Sequence, residues 1–261
     1  TLLGRYFISL TLAAAFARCS MSRSQWTPAF LVIDEFQDFS APFNLLIQAI
    51  RRANTSVQLF CVGDDWQAIN PFAGSDTSFF NNFSACFPAG RIITLRTNFR
   101  SAAAIVEHAN TIMGNDGTGG IPMIGAPAGE VHLLAYGDAL SFEDLLAQIL
   151  QFHHGTGESI AVLSRRHEPA LGLSDVDAST VHSYKGREAD IVIVRDAQVG
   201  RFPLNHPAND YLRLLRMPRE SILDEEQKLF YVAATRARKT LYLLYEQYPT
   251  EFIDPKLWEY Q

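Results

Sequence analysis

Two apolar runs that each stop at acidic residues constrain the fold of this chain most. Residues 29–33 (AFLVI) are followed by an Asp-Glu pair, and residues 57–62 (VQLFCV) by Gly-Asp-Asp. Continuous apolar runs of this length are typical of strands buried on both faces of a parallel sheet. Because residues 42–53 between them have apolar side chains at helical spacing, the segment predicts a strand, a helix and a second strand.

Strands and helices continue to alternate along the rest of the chain. Apolar runs predict strands at 91–95, 131–135, 160–164, 191–194 and 240–245. Helical spacing predicts helices at 101–113, 141–153 and 223–238, the first two with Ser101 and Ser141 as N-caps. Residues 115–129, rich in glycine and proline, predict a loop. The alternation predicts an α/β protein with parallel sheets, and a boundary near residues 96–101 divides it into two α/β units.

Composition narrows the class of protein. The 261 residues are 48% hydrophobic, enough for a substantial core, and the net charge of −6 excludes a globally basic protein that coats nucleic acid. The net charge is compatible with a protein that holds a single strand of nucleic acid in a local groove. The cysteines Cys19, Cys61 and Cys86 show no CxxC spacing, which argues against a disulfide framework or a zinc site and predicts a cytoplasmic protein.

The first residues of the chain raise the question of export. Residues 6–17 (YFISLTLAAAFA) resemble the core of a signal peptide but are too short to span a bilayer. We expect a buried helix that leads into the first strand, and no membrane partner. The chain begins at Thr1 rather than at methionine, so we expect it to be a piece of a longer protein.

Carboxylates at the ends of strands indicate a ligand site. Ligands of open α/β folds bind at the carboxyl edge of the sheet. There, Asp34 could hold Mg²⁺ through its water shell and Glu35 could orient an attacking water. The alternative is an ordinary acidic turn, but a second acid-ended strand, followed by Gln67, favours the ligand site.

Five short blocks along the chain carry a family resemblance. They are residues 34–38 (DEFQD), 63–69 (GDDWQAI), 95–101 (LRTNFRS), 180–188 (TVHSYKGRE) and 225–237 (EEQKLFYVAATRA). In this order they resemble motifs II to VI of the UvrD/Rep-like superfamily 1 DNA helicases. The residues of the second and fourth blocks are similar to those of helicase IV-like members. The resemblance implies two RecA-like domains: an incomplete one at 1–98 with motifs II and III, and a second at 99–261 with motifs IV to VI. The interval between Arg100 and Thr180 leaves no room for a large accessory insertion.

The resemblance also implies a nucleotide site for ATP and Mg²⁺. According to this resemblance, Arg100 and Arg236 contact the γ-phosphate of ATP, and Gln67 senses the same phosphate. Phe99 stacks on adenine, at a position where the family has a tyrosine. Glu188 contacts the ribose, and Asp64 of the second block belongs to the same site. A guanidinium suits a phosphate because its planar fork is bidentate and stays charged. Arg236 ends an apolar stripe of its predicted helix, which predicts that it points inward; the alternative is a cation at a helix end. For Glu188 the alternative is a solvated loop acid.

Three further residues are implied as contacts to single-stranded DNA, or to a duplex with a single-stranded tail. Phe72 falls where the base-stacking aromatic is expected, and Thr180 and His182 fall where phosphate contacts are expected. Stacking on an aromatic ring tolerates any sequence. For Phe72 the alternative is an ordinary core residue. The remaining histidines, including His153 and His154, have no ligand-like partners in the sequence, and we expect them at the surface.

The chain departs from the family in one important respect. Its only lysines are Lys185, Lys228, Lys239 and Lys256, none of which follows a glycine, so the GxxxxGK[ST] phosphate loop is missing from these residues. We therefore expect the chain to be the carboxyl-terminal part of a helicase, to need the amino-terminal part of the same protein, and to have negligible ATPase activity alone. Two hypotheses follow: part of an ATP-dependent 3′-to-5′ DNA helicase or translocase, or a helicase-like module that binds DNA or a repair partner without catalysis. Smaller departures, such as Arg187 in place of the usual leucine, concern the DNA contacts more than the ATP chemistry.

Overall fold

The computed structural model describes residues 29–88, 90–114, 118–167, 176–204 and 219–258. The helix predicted at 6–17 and Cys19 lie outside the described residues. The chain divides into two compact units, Thr1–Ile93 and Thr94–Gln261. In both units the described strands pair in parallel and alternate with helices, so the predicted α/β class with parallel sheets is confirmed.

The first unit is built on one strand–helix–strand motif. Its elements are β1 (Phe30–Ile33), a 3₁₀ turn (Phe36–Asp38), α1 (Ala41–Ala53), β2 (Gln58–Cys61), two further 3₁₀ turns (Asp65–Gln67 and Pro71–Ala73), α2 (Ser78–Asn81) and α3 (Phe83–Cys86). β1 pairs with β2 in parallel, with Phe30 opposite Gln58 and Ile33 opposite Cys61. The predicted strand, helix and strand are therefore present within one or two residues.

Phenylalanine rings form the core of the first unit. Phe36, Phe39 and Phe87 are buried together with Ile47, and the centroids of the Phe36 and Phe39 rings are 4.6 Å apart. Side chains alternate along a strand, so Leu31, Ile33 and Leu59 pack on this cluster. Among the described residues, no element covers the opposite face of the two strands.

That open face corrects the prediction of strands buried on both faces. Phe30, Val32 and Phe60 are 63%, 70% and 59% exposed. Within the described residues, only one face of the β1–β2 pair is covered by other elements. An apolar run therefore identified the strands but not the number of layers packed on them.

The second unit contains more elements. They are β3 (Thr97–Asn98), α4 (Ala103–Ile112), β4 (Ile121–Pro122), β5 (Glu130–Ala135), α5 (Phe142–Phe152), β6 (Ile160–Ser164), β7 (Val176–Thr180), α6 (Val181–Tyr184), β8 (Ala189–Val194), α7 (Arg219–Ala234), β9 (Ala237–Tyr245) and a 3₁₀ turn (Pro255–Trp258). Ser141 is the N-cap of α5, as predicted, and its hydroxyl accepts a hydrogen bond from the Asp144 amide at 3.1 Å. β3 and β4 form a short parallel pair.

A five-stranded parallel sheet organises this unit, in the order β5-β9-β8-β6-β7. α5 packs on one face through Leu146 and Ile149 against Ile191 and Ile193. Residues of β8 and β9 with the opposite orientation, such as Val192, are also fully buried, and α4 and α7 contact β9. Because every strand runs the same way, all amino ends lie at one edge, the amino edge, and all carboxyl ends at the other, the carboxyl edge.

Three predictions of secondary structure are wrong: one strand, the end of one helix and one N-cap. Residues 91–95 are not a strand, and Ile92, Ile93 and Leu95 are 66%, 68% and 88% exposed; no described strand pairs with them, and a strand needs a hydrogen-bonded neighbour. The helix predicted at 223–238 ends at Ala234, because the chain turns into β9 at Ala237.

The third correction concerns Ser101. The N-cap of α4 is Ala102, and the Ser101 hydroxyl donates instead to the Ala237 carbonyl at 2.7 Å. Ser101 is 4% exposed, so its hydroxyl needs a buried acceptor. The bond ties the segment before α4 to the start of β9.

Two results bear on the composition. Cys61 and Cys86 are free thiols, and burial raises the pKa of Cys61 to about 11. Among the described helices, none combines the length and the apolar character that crossing a membrane requires.

Candidate functional site

In the first unit, Gln37 joins the carboxyl ends of β1 and β2. Its side-chain amide donates to Glu35 Oε2 at 2.5 Å, and its Oε1 accepts the backbone N–H of Asp64 at 3.0 Å. Gln37 is 1% exposed, so both bonds lie where water competes poorly. The motif resemblance included Gln37 but assigned it no role. A polar, uncharged side chain among apolar and acidic residues was the sequence feature that could have indicated a structural hydrogen bond.

Glu35 has the left-handed backbone conformation, with φ +54°. A non-glycine residue there is uncommon and costs conformational energy. The bend directs Phe36 back to the second strand, where its N–H donates to the Val62 carbonyl at 2.8 Å. The acidic pair therefore occupies a sharp turn whose geometry the neighbouring strand fixes.

Asp64 and Gln67 are neighbours in the turn after β2. Asp64 Oδ1 accepts the Trp66 N–H at 3.1 Å, and Asp64 Oδ2 accepts the Gln67 side-chain amide at 2.7 Å. With the Gln37 bonds, this connects Glu35, Asp64 and Gln67 in one hydrogen-bonded chain. Asp34 directly precedes Glu35, so four predicted site residues lie at one edge of the first unit.

The described residues of this edge offer few protein ligands for Mg²⁺. Asp34 is exposed and its Oδ1 accepts the Glu35 N–H at 2.9 Å. No group of three or more metal-ligating side chains occurs among the described residues. A single carboxylate suits Mg²⁺ that keeps most of its waters and takes its other oxygens from phosphates.

At the amino edge of the second unit, Arg100 and Glu188 form an ion pair. Arg100 Nε lies 2.8 Å from Glu188 Oε2, and both side chains are about two-fifths exposed, at 39% and 41%. Asn98 Oδ1 accepts the backbone N–H of Arg100 at 2.9 Å, which fixes the backbone from which Arg100 extends. Phe99 is 75% exposed, so its ring is accessible to a planar ligand.

Arg236 lies in the turn between α7 and β9 and is 1% exposed. Its Nε donates to the Val232 carbonyl at 3.0 Å, and its Nη1 donates to the Arg187 carbonyl at 3.3 Å. The inward direction predicted from the apolar stripe is confirmed, although the helix ends before this residue. The second bond places Arg236 beside the backbone that carries Glu188.

Arg238 is a residue of this edge that the sequence did not reveal. Its Nη1 lies 3.4 Å from Glu188 Oε1, and its Nη2 lies 2.7 Å from Asp190 Oδ1. Although burial opposes ionisation of Asp190, hydrogen bonds from Arg238 and Ser159 hold the pKa of that carboxyl well below its usual range. The only signal was a charged pair, Arg238 and Lys239, at the start of an apolar strand.

The two residues predicted to contact nucleic-acid phosphates lie at the carboxyl edge. Thr180 ends β7 and is the N-cap of α6, where its hydroxyl accepts the Ser183 N–H at 3.3 Å. Burial, followed by the charges of Arg165 and Lys185, lowers the pKa of His182. Thr180 and His182 are thus close in the fold, whereas Glu188 of the same motif lies at the opposite edge.

A largely buried ion pair supports the carboxyl edge. Arg165 donates from Nε and Nη2 to the two oxygens of Glu226, at 3.1 and 2.5 Å. Glu226 also accepts the backbone N–H of Leu204 at 3.1 Å. Glu226 is part of α7, so the pair fastens this helix to the end of β6.

The structure also bears on the predictions for Phe72 and for the histidines. Phe72 lies in the 3₁₀ turn Pro71–Ala73, but its side chain is outside what the structure describes. The surface prediction is wrong for His108, which is 6% exposed, and for His153. The His153 side chain is 9% exposed, with Nε2 2.9 Å from the Tyr242 hydroxyl and Nδ1 3.3 Å from Glu158. Tyr242 is 89 residues from His153 along the chain, which is why no local pattern indicated this contact, whereas Glu158 is five residues away. His154 is exposed, as expected.

Comparison with known proteins identifies the family. The chain matches two family models in order: the UvrD/REP helicase N-terminal domain at residues 10–88 and the UvrD-like helicase C-terminal domain at residues 135–248. It is 33% identical to DNA helicase IV of Escherichia coli (strain K12) over 239 residues, which are 86% of this chain and 35% of that protein. It is 29% identical to a probable DNA helicase of Mycoplasma pneumoniae (strain ATCC 29342 / M129 / Subtype 1) over 240 residues, which are 82% of this chain and 43% of that protein.

The chain thus spans less than half the length of each of these two relatives. A solved structure described as "The structure of PRRSV helicase" aligns with 85% of this chain and 36% of its own, at 16% identity and a TM-score of 0.49, a likeness too distant to support an argument. The two matched helicase domains, their order along the chain and the DNA helicase relatives give the same answer. The chain belongs to the UvrD/Rep-like helicase family.

Proposed function

We propose that this chain is part of an ATP-dependent DNA helicase or translocase that couples ATP hydrolysis to 3′-to-5′ movement on single-stranded DNA. One observation carries the proposal. At the amino edge of the second unit, Arg100 lies 2.8 Å from Glu188, beside the backbone that accepts a hydrogen bond from Arg236. Three residues that family resemblance assigns to one nucleotide are thus neighbours, although they come from three separate motifs.

The proposed roles follow the chemistry of each side chain. Arg100 and Arg236 bind γ-phosphate oxygens, Phe99 stacks on adenine and Glu188 accepts from a ribose hydroxyl. Arg100 would exchange the Glu188 carboxylate for a phosphate on binding. Because Arg238 also lies near Glu188, that carboxylate keeps a cationic partner when Arg100 turns away.

The first unit would supply the groups for hydrolysis. Glu35 would orient the attacking water, Asp34 would help to hold Mg²⁺, and Gln67 would respond to the γ-phosphate, with Asp64 as its neighbour. Mg²⁺, where bound, neutralises charge on the phosphates. The bonds through Gln37 support this proposal because they fix the position of Glu35 relative to Asp64.

These 261 residues contain no phosphate loop. Such a loop supplies backbone N–H donors, a lysine and a hydroxyl for Mg²⁺. We therefore expect negligible phosphate release from ATP by this chain in a malachite-green assay. Turnover at ordinary ATPase rates that Glu35→Gln abolishes would contradict this expectation.

The intact gene product provides the main test. We expect ATPase activity stimulated by single-stranded DNA, and separation of a duplex with a 3′ tail but not of one with a 5′ tail. Arg236→Lys should lower the turnover number by roughly 10³-fold or more, as removal of an arginine that binds the transition-state phosphate does. Circular dichroism of each variant would verify folding, because Arg236 is buried.

The missing phosphate loop also favours a second candidate, a helicase-like module that binds DNA or a protein partner without catalysis. The same experiment separates the two. Tight binding of single-stranded DNA by the intact gene product without any ATPase activity would establish the passive module and refute the motor. Separation of the 5′-tailed duplex alone would refute the proposed polarity.

A further inference from the structure

Arg238 joins two carboxylates at the amino edge of the second unit. Its Nη2 lies 2.7 Å from Asp190 Oδ1, and its Nη1 lies 3.4 Å from Glu188 Oε1. Glu188 in turn pairs with Arg100 at 2.8 Å. A planar guanidinium can hold two carboxylates at once in a fixed geometry, whereas a lysine ammonium is a point charge on a flexible stem. Arg238 therefore connects a buried acid to the exposed acid that the proposed function assigns to the ribose.

Asp190 is the fixed end of this connection. Its side chain is 9% exposed, and its Oδ2 accepts hydrogen bonds from the Ser159 N–H at 3.1 Å and from the Ser159 hydroxyl at 2.9 Å. The Asp190 N–H donates to the same hydroxyl oxygen at 2.9 Å. A carboxylate that accepts several hydrogen bonds where water competes poorly keeps one position. The guanidinium of Arg238, which pairs with the other oxygen of this carboxylate, is held with it.

The backbone of Arg238 is fixed independently of its side chain. Its carbonyl accepts the Ala102 N–H at 2.8 Å, and Ala102 closely follows Arg100 in the chain. β9 pairs with β8 in parallel, with Ala237 opposite Ala189. Arg238 therefore lies beside the start of β8, where both acids are found. One residue thus contacts the segment that carries Arg100 and the segment that carries the two carboxylates.

The carboxylate of Glu188 depends on its cationic partners for a defined orientation. The Glu188 carbonyl accepts the Tyr184 hydroxyl at 3.2 Å, which fixes the backbone, but the side chain is 41% exposed and pairs with Arg100 and Arg238. When Arg100 moves to a phosphate, as proposed above, one of these two partners leaves. A side chain that then turned freely would lose conformational entropy on binding a ligand. Arg238 remains beside the carboxylate and limits this freedom.

We propose that Arg238, anchored by Asp190, is a positioning residue that holds the Glu188 carboxylate in the orientation from which it accepts a hydrogen bond from a ribose hydroxyl of the nucleotide. The inference rests on the proposed function, because that function assigns Glu188 to the ribose. The ribose takes no part in the reaction at the γ-phosphate, so its contacts are the same in the ground state and in the transition state. Arg238 therefore affects the KM for ATP and not kcat.

Calorimetric titration of the intact gene product measures the effect on nucleotide binding. ADP is the probe, because it carries the ribose but not the γ-phosphate to which Arg100 and Arg236 are assigned. Arg238→Gln removes the guanidinium, and it should weaken ADP binding by roughly 5- to 30-fold, part of the value of a hydrogen bond to a charged group. 2′,3′-Dideoxy-ADP has no ribose hydroxyl, so Arg238→Gln and the unchanged protein should bind it equally. In steady-state ATP hydrolysis the KM should rise by a similar factor, with kcat unchanged.

The adjacent lysine provides a matched control. Lys239 Nζ lies 3.3 Å from Asp190 Oδ1 and 3.1 Å from Glu158 Oε1, and its side chain is 52% exposed. Lys239→Gln removes one positive charge beside the same anchor and leaves the Arg238 pair with Glu188 in place, so ADP binding should not change. Asp190→Asn, a second variant, releases Arg238 from its anchor and should weaken ADP binding but not binding of 2′,3′-dideoxy-ADP. Thermal unfolding followed by circular dichroism verifies that each variant is folded.

The outcomes separate this inference from the proposed function. Unchanged ADP binding by Arg238→Gln, in a protein whose ATPase activity Arg236→Lys abolishes, would overturn the positioning role and leave the proposed function standing. Equal losses for ADP and 2′,3′-dideoxy-ADP would also overturn it, because a general disturbance of the site does not distinguish the two sugars. A fall in kcat with an unchanged KM would assign Arg238 to the chemical step instead. An intact gene product that binds no nucleotide would overturn both the positioning role and the function on which it rests.

Discussion

The two units contain strands of the same sequence type in different surroundings. Phe60 of β2 is 59% exposed, whereas Ile191 and Ile193 of β8 are fully buried. In the second unit, α5 covers one face of the sheet and α7 contacts the same strands. In the first unit, the described residues cover only one face of β1 and β2. The comparison shows that the stability a strand contributes depends on the layers around it and not on its own apolar content.

Substitution of one apolar strand residue in each unit, buried in the second unit and exposed in the first, gives the largest expected difference. Ile193→Ala should lower the free energy of unfolding of the second unit by about 2–4 kcal/mol, because it leaves a cavity between the sheet and α5. Phe60→Ala, the matched change in the first unit, should cost less than about 1 kcal/mol. Urea unfolding monitored by hydrogen exchange and mass spectrometry assigns each transition to its unit. Equal losses in the two variants would show that the open face of the first unit is covered in solution.

Acidification should lower the stability of the second unit more than that of the first, because all seven histidines lie in the second unit. This is the next largest expected effect. Burial lowers the pKa of His108 in α4 from 6.5 to about 4, although the charge of Asp254 opposes the shift. Below pH 6.5 the unfolded chain takes up a proton that the folded chain does not, so folding stability falls as the pH drops from 6.5 towards 4 and levels off below. The loss for this group is about 3 kcal/mol.

His108→Leu isolates that contribution. His108 is 6% exposed, and leucine fills a similar volume without a titrating group, so the variant should lose less stability between pH 6.5 and 4 than the unchanged chain. Some dependence should persist because the pKa of His182 is lowered as well. Urea midpoints at a series of pH values provide the measurement. An identical pH dependence in both proteins would assign the effect to other groups.

The sequence predicted the parts of this fold that local pattern determines. The strand–helix–strand unit, the Ser141 cap and the inward direction of Arg236 follow from spacing over a few residues. β7 (Val176–Thr180) was missed because its sequence, VDAST, is mostly polar. It lies at the edge of the sheet, where strands need not be apolar on both faces.

What the sequence could not provide was the pairing of residues distant in the chain. The motif resemblance predicted that Arg100 and Glu188 serve one ligand, but no pattern indicates that they contact each other. Likewise Arg238 joins Asp190, and Gln37 joins Asp64, only because the sheets bring their strand ends together. The residue types of the candidate site were thus available from sequence, while its bonding depends on tertiary structure.

Asp190→Asn tests whether the ionic amino edge adds stability that the first unit lacks. The Asp190 carboxylate, 9% exposed, pairs with Arg238 at 2.7 Å and with Lys239 at 3.3 Å. Removing its charge while keeping its shape should destabilise the second unit by about 1–3 kcal/mol, the value of hydrogen bonds to a charged group. Because the folded-state pKa is depressed, this stability is present above about pH 4 and lost below it.

Urea unfolding of Asp190→Asn at neutral and acidic pH checks both parts. The difference from the unchanged chain should shrink below pH 4 as the aspartate itself is protonated. Glu143→Gln, an exposed acid in the first turn of α5, is the control and should change stability by less than about 0.5 kcal/mol. A neutral result for Asp190→Asn at pH 7 would mean that desolvation cancels the ion pairs.

Arg187→Leu should have the smallest effect on stability. It tests whether the exposure of a side chain, rather than the unit to which it belongs, determines its contribution to stability. The Arg187 guanidinium pairs with Asp177 and lies 4.5 Å from the centroid of the Tyr184 ring, and both charged side chains are more than a third exposed, at 51% and 38%. Exposed pairs of this kind contribute about 0–1 kcal/mol, so the second unit should unfold at nearly the same urea concentration. The Arg187 carbonyl that accepts Arg236 Nη1 is backbone and remains. Asp177→Ala should match this small change, because it removes the same pair from the other side. A loss above about 2 kcal/mol in Arg187→Leu alone would mean that the side chain orders the turn holding Arg236, and exposure would then no longer predict which residues of the two units matter.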